Sequence, residues 1–195
     1  MSDYFQRVPL TINHDWELTV RAAKKMQEFE QHAKSSTYPP DAGAEGSAHY
    51  DLKSLGVLSK HYKSASWYRM AGPMLDRTMP FLKNMLLAMT ELGPDGGAVS
   101  FLSGNGGEHV DQDKDLSAVN YIFYNTDPEA HTYVTHGNYY GTYPSVVGEA
   151  WILDATVRHG LKNSGDRWNL SIHFSVPYQV LREWFDQRTP EQLIF

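Results

Sequence analysis

The sequence predicts an α+β protein that is mainly β, a sandwich or barrel of short strands preceded by helices packed on one of its outer faces. Three observations lead there. Apolar residues recur at helical spacing in the first half of the chain, the period changes to two from Ala98 onward, and Gly- and Asn-containing turns interrupt the second half at short intervals. Helices followed by a run of strands are the mark of segregated α and β layers. A length of 195 residues suits one domain with a core of its own. The expected division is a single domain over 1–195: a mainly helical support region over 1–95, the β core over 96–176 and a closing segment over 177–195.

Residues Tyr4 to Ile12 form a short opening strand, which Pro9 restricts to an edge or an end. With Asn13 or Asp15 as a cap, Trp16, Val20, Ala23, Met26 and Phe29 then fall at helical spacing, and Leu18 and Ala22 widen the stripe, so a helix is expected over about 15 to 34. Lys34 to Ser47, rich in Ser, Pro, Gly and Ala without an apolar period, reads as a surface connection, with a lid as the other reading. Met74, Leu75, Met79, Phe81, Leu82, Met85, Leu86 and Met89 predict a second helix over Pro73 to Met89, broken at Pro80, whose apolar face covers a sheet. The helical part ends at Gly93-Pro94-Asp95-Gly96-Gly97. Strands are then expected at Ala98–Leu102, Glu108–Asp111, Leu116–Tyr124, His131–Thr135, Glu149–Asp154, Val157–Lys162 and Arg167–Val176. Tyr139, Tyr140 and Tyr143 are read as part of a surface loop containing glycine. After Pro177, the amphipathic run Val180, Leu181, Trp184, Phe185 predicts a closing helix that covers the barrel or makes a dimer contact.

A formal charge of −6 with both signs scattered along the chain offers no footprint for phosphates, so nucleic acid is not an expected partner. The chain has no cysteine, which excludes disulfides and thiolate metal sites. Neither a leader at Met1–Arg7 nor a bilayer-length apolar run is apparent, and the expectation is a soluble, cytoplasmic protein with no membrane partner.

The chemistry concentrates on His109-Val110-Asp111. Residues two apart on a strand point to one face, so this pair can grip a metal ion from one side. His159, set in an alternating apolar segment, is the natural third ligand. Two histidines and one carboxylate on one face of a metal, with the other positions open, is the ligand set of non-haem Fe(II) oxygenases. Taken singly, His109 and Asp111 also read as a hydrogen-bonded turn pair and His159 as a surface histidine. His131, His136 and His173 are the rival ligands, and His173 shares a face with Arg167, Asn169 and Ser171. Arg158 adjoins His159 and points to the opposite face.

The Gly104–Gly107 turn before His109-Val110-Asp111, the Gly148–Asn163 segment around His159 and the strand from Arg167 to Phe174 together resemble the 2-oxoglutarate and Fe(II)-dependent oxygenases, especially the prolyl-hydroxylase-like and aspartyl-hydroxylase-like branches, over about residues 96 to 176. The resemblance implies a double-stranded β-helix (jelly-roll, cupin-like) core with N-terminal support helices. It implies Fe(II) held by His109, Asp111 and His159, with 2-oxoglutarate as co-substrate and O2 as oxidant. Arg167 matches the basic residue that pairs with the far carboxylate of 2-oxoglutarate, a task suited to a planar fork of donors. Ser171 matches a hydroxyl placed against the same carboxylate. On the strand after the pair, Asn120, Ile122 and Tyr124 are expected on one face, with Tyr124 as the tyrosine that reaches the co-substrate. The chain departs from the aspartyl-hydroxylase-like pattern where Asn169 holds the position of the arginine. The implied reaction couples decarboxylation of 2-oxoglutarate, giving succinate and CO2, to hydroxylation of an unactivated C–H bond in a small molecule or in a peptidyl prolyl or aspartyl side chain. With Asp111 in place there is no vacancy for halide, which favours hydroxylation over halogenation. The alternatives are a metal cupin enzyme that does not use 2-oxoglutarate and a non-enzymatic jelly-roll binding module.

Overall fold

The structure, a computed structural model, describes residues 2–21, 47–50, 79–103, 106–111 and 115–195. Its strands are β1 (Phe5–Val8), β2 (Ser47–Tyr50), β3 (Pro94–Ser103), β4 (Gly106–His109), β5 (Ser117–Asn125), β6 (His131–His136), β7 (Tyr139–Pro144), β8 (Ala150–Asp154), β9 (Arg158–Lys162) and β10 (Asp166–Phe174); its helices include α1 (Pro80–Ala88) and α2 (Tyr178–Asp186). A six-stranded sheet runs β1-β8-β5-β10-β3-β2 and a four-stranded sheet runs β4-β9-β6-β7. Every ladder in both is antiparallel. The two sheets form the jelly-roll core, with the helices packed on the outer face of the larger one.

The alternation of β10 divides the molecule. Trp168, Leu170, Ile172 and Phe174 enter the main apolar core, together with Val119, Tyr121 and Phe123 of β5, Ile152 of β8, Phe81, Leu82, Met85 and Leu86 of α1, and Leu181, Trp184 and Phe185 of α2. Arg167, Asn169, Ser171 and His173 take the other face and line the interior between the sheets. Each large apolar side chain so buried contributes about 1.5–3 kcal/mol, which makes the helix-covered face the molecule's main store of stability. Val134, Tyr143, Leu153 and Val157 form a second, smaller apolar cluster, with Tyr4, Phe5, Tyr139 and Trp151 against it.

Pro80 is the first residue of α1, and Met79 before it is not helical. At the first helical position a proline has no N–H to lose and its φ already suits the helix. The expected residues of this helix from Pro73 to Thr78 lie outside the described residues, as do residues 22–34 of the first helix, of which 16–21 are helical, and the Lys34–Gly46 connection. Two strands were not anticipated. The Ser47 that ends the expected connection opens β2, and the tyrosine-rich segment read as a loop is β7. β3 begins at Pro94, inside the expected turn, because a proline costs a strand nothing at its first residue. α2 is a closing helix, tied to the end of the α1 region by Glu91, whose carboxylate accepts from the Trp184 indole and from Arg188 Nη2 at 2.6 Å. Among the described residues no helix is long and apolar enough to cross a membrane.

Candidate metal centre

β4 pairs with β9 so that His109 lies directly opposite His159. Directly opposed residues in an antiparallel pair share a face with their side chains in contact, and the two imidazole rings meet with centroids 4.5 Å apart at 61°. Asp111 lies just beyond β4. Its Oδ1 is 3.5 Å from His109 Nε2 and 3.7 Å from His159 Nε2, and the three ligand atoms all lie within 4.8 Å of one another. Among the described residues this is the one group of three such side chains placed to hold a metal.

Both histidines are oriented in the same way. His109 Nδ1 lies 2.9 Å from the Gly107 carbonyl and His159 Nδ1 lies 2.9 Å from the Val157 carbonyl. A carbonyl oxygen only accepts, so in each ring Nδ1 must donate, and in the neutral ring Nε2 carries the lone pair. Two lone pairs and a carboxylate oxygen therefore converge on one point. Such a set of acceptors calls for a proton or a metal cation, and a donor on the far ring nitrogen is how metal-bound histidines are held.

The electrostatics follow from burial and from Asp111. Burial drives the His159 imidazole below its ordinary range, beyond what the Asp111 carboxylate and the Val157 bond restore, so it is neutral at pH 7. His109, more exposed, goes the other way: its bond to Asp111 raises it despite partial burial. For Asp111, burial pushes upward but the His109 bond and the charges of His173, His159 and His109 together outweigh it, holding the carboxyl below the usual range.

Deeper in the interior lies Arg167, 5% exposed. Its Nε has no hydrogen-bond partner, and among the described residues no carboxylate forms an ion pair with it. Burial lowers its pKa to about 10, with the nearby Tyr143 acting against the shift, so the guanidinium remains charged at neutral pH. A buried cation without an anion is costly, and the arrangement fits an anionic ligand. Burial pushes the Tyr143 phenol up, against its hydrogen bonds with Thr132 and Asn120 and the charge of Arg167. Asn120 Oδ1 also accepts from Asn169 Nδ2 at 3.3 Å. Ser171 is buried, and its hydroxyl lies 3.0 Å from His173 Nε2.

The structure thus brings His109, Asp111 and His159 together, and sets Arg167, Asn120 and Ser171 on the interior face. It does not bring Tyr124 there. The β5–β10 register shifts between Trp168 and Asn169, pairing Trp168 with Tyr124 but Asn169 with Ile122. The extra residue of this bulge puts Phe123 and Tyr124 on the same side, and Tyr124 packs on the helix-covered core. The tyrosine that reaches the interior is Tyr143, fully buried on β7. Its signal was the alternation Tyr139, Gly141, Tyr143, masked by the glycines on either side of Tyr139. Arg158 points away and pairs with Glu108 at 3.3 Å. His131 bonds the Glu129 carbonyl and His136 stands against Tyr4, both away from the triad.

No protein-family model matches the chain, and no curated protein sequence does. Among solved structures, it is similar to EvdMO1 (14% identity over 90% of this chain and 48% of that one, TM-score 0.50). It is also similar to AviO1 from Streptomyces viridochromogenes Tue57 (12%, 90% of each chain, 0.49) and to an oxidoreductase of the 2OG-Fe(II) oxygenase family from Burkholderia pseudomallei (11%, 80% of this chain and 81% of that one, 0.48). The chain spans about half the length of EvdMO1. At such identities the likeness is one of fold. The chain carries on a jelly-roll fold a His-x-Asp…His motif that resembles that of the 2-oxoglutarate and Fe(II)-dependent oxygenases.

Proposed function

We propose that this chain is a non-haem Fe(II)- and 2-oxoglutarate-dependent dioxygenase that hydroxylates an unactivated C–H bond of a small-molecule or peptidyl substrate. The observation that carries the reading is the convergence, inside one barrel, of a two-histidine, one-carboxylate cluster with a buried guanidinium whose Nε has no partner. His109 Nε2, His159 Nε2 and Asp111 would hold Fe(II), which when bound supplies the coordination of a 2-oxoacid and O2 that oxidation of such a bond requires.

The chain's own residues do the rest. The Gly107 and Val157 carbonyls keep both Nε2 lone pairs aimed at the ion. Arg167 receives the far carboxylate of 2-oxoglutarate, with the Tyr143 hydroxyl beside it as a neutral donor. Asn120 holds Tyr143, while Ser171 lies on the same interior face as Arg167. Leu153, Val134 and Val157 add buried apolar surface beside Tyr143.

The test is an anaerobic titration of the metal-free protein with Fe(II) and then 2-oxoglutarate, watching for the weak visible charge-transfer band of a chelated 2-oxoacid. The band is expected only with both components present and is absent in His159→Ala. Arg167→Ala should raise the 2-oxoglutarate concentration needed by about 10–100-fold, the worth of a charge-assisted hydrogen bond of about 1.5–3 kcal/mol, without changing Fe(II) uptake. Bound iron with no band would move the chain to the metal cupins that do not use 2-oxoglutarate. No bound iron would leave a binding module.

A further inference from the structure

Asp111 has two oxygens, and they face different partners. Oδ1 looks toward His109 and His159, whereas Oδ2 lies 3.6 Å from His173 Nδ1. His173 Nδ1 is itself buried without a hydrogen-bond partner, and it lies 3.5 Å from Asp115 Oδ2 as well. On the other side of the ring, Ser171 Oγ is 3.0 Å from Nε2. Two carboxylates flank Nδ1 and can only accept, so the surroundings favour the tautomer with the proton there, leaving Nε2 to accept from the Ser171 hydroxyl. His173 is no fourth ligand, since its near nitrogen faces the outer oxygen of Asp111 and stands outside the cluster of converging atoms.

We infer that His173 is a positioning residue for the metal centre, holding the outer oxygen of Asp111 so that the inner one faces the two imidazoles. The mechanics suit the task. Asp111 lies just past the four-residue strand β4 and has no ladder of its own, whereas His173 belongs to β10, which is paired on both sides by β3 and β5. A loop-borne ligand thereby faces, at 3.6 Å, a nitrogen on a rigid strand that can donate to its outer oxygen, and donors that engage a ligand in this way shift metal affinity by about 10–100-fold.

This inference rests on the proposed metal centre, and one experiment separates the two. Co(II) is titrated into the metal-free protein and followed by its visible d–d absorption, comparing the parent with His159→Ala, His173→Asn, His173→Gln and His173→Leu. The asparagine amide can place an N–H near the position of Nδ1, while the longer glutamine amide reaches that of Nε2. His173→Asn should bind Co(II) within about threefold of the parent, and His173→Gln and His173→Leu should lose about tenfold or more and show an altered band. If the glutamine or leucine variant fails to fold, the remaining one decides against asparagine. Equal affinity in parent and all three His173 variants, or an equal loss in all three, overturns the positioning role alone. A parent that takes up no Co(II), or uptake that His159→Ala leaves unchanged, removes the centre itself and this inference with it.

Discussion

His109 and His159 present the same nitrogen to the same carboxylate, yet their environments push their protons in opposite directions, and this shapes how the site must respond to pH. Metal binding needs both imidazoles unprotonated. His159 is neutral early, because burial lowers it. His109 keeps its proton to higher pH, because Asp111 raises it. Asp111, held below the usual carboxylate range, stays ionised throughout. Co(II) affinity should therefore be greatest above the raised His109 value. It should fall about tenfold per pH unit once His109 protonates and more steeply once His159 does. Affinity measured between pH 8 and 5 tests this, and a flat profile would contradict it. At this scale the sequence was informative wherever a period-two argument applied. His109 with Asp111, and Arg167 with Asn169, Ser171 and His173, share faces as the alternation requires. Tyr124 escaped because one extra residue in a strand reverses every face beyond it, and no residue in Phe123-Tyr124-Asn125 announces a bulge.

At the scale of elements, two glycines have different reasons to be glycine. Gly148, with φ of +86°, links β7 to β8 and donates to the Ile122 carbonyl at 2.8 Å. An L-residue is strained there, so Gly148→Ala should cost about 1–2 kcal/mol, lowering the unfolding midpoint by several degrees for a chain of this size. Gly107, whose carbonyl orients His109, has open space where a Cβ would go and no positive φ. Gly107→Ala keeps the carbonyl, so it should change stability by no more than about 0.5 kcal/mol and leave Co(II) affinity intact. Thermal unfolding of both variants, with a Co(II) titration of the second, checks the pair. The bounds of β5, β6, β8, β9 and β10 were legible to within a residue or two. β7 was not, because glycine reads as a loop signal when the tyrosines around it are in fact packing over it: a Cβ at Gly141 would meet the Tyr139 ring, 2.7 Å from Cζ.

For the whole molecule, the decisive fact is that the larger sheet buries one face under the helices and turns the other to the interior, where the smaller sheet brings the triad. Local patterns show that β10 has two different faces; they do not show which strands lie beside it. The pairing of β4 with β9, which sets His109 against His159, is a long-range choice made by the fold as a whole. This separation has a measurable consequence. Leu181 is fully buried between α2 and the sheet, in the core that does not contain the triad. Leu181→Ala should cost about 2–5 kcal/mol through lost burial and the cavity left behind. Because the triad stands on the other sheet, the variant should bind Co(II) as the parent does, and metal at about 100 times its dissociation constant should stabilise both by the same amount, about 2.7 kcal/mol. In His159→Ala the metal-free stability should change less than in Leu181→Ala, but the gain on adding Co(II) should vanish. Denaturant unfolding of the three proteins with and without Co(II) measures all of these quantities. Equal loss of the metal-dependent gain in Leu181→Ala would mean that the helix-covered core and the centre are one cooperative unit, and that the rigidity of β10, on which His173 and Arg167 depend, comes from α2 as much as from its neighbouring strands.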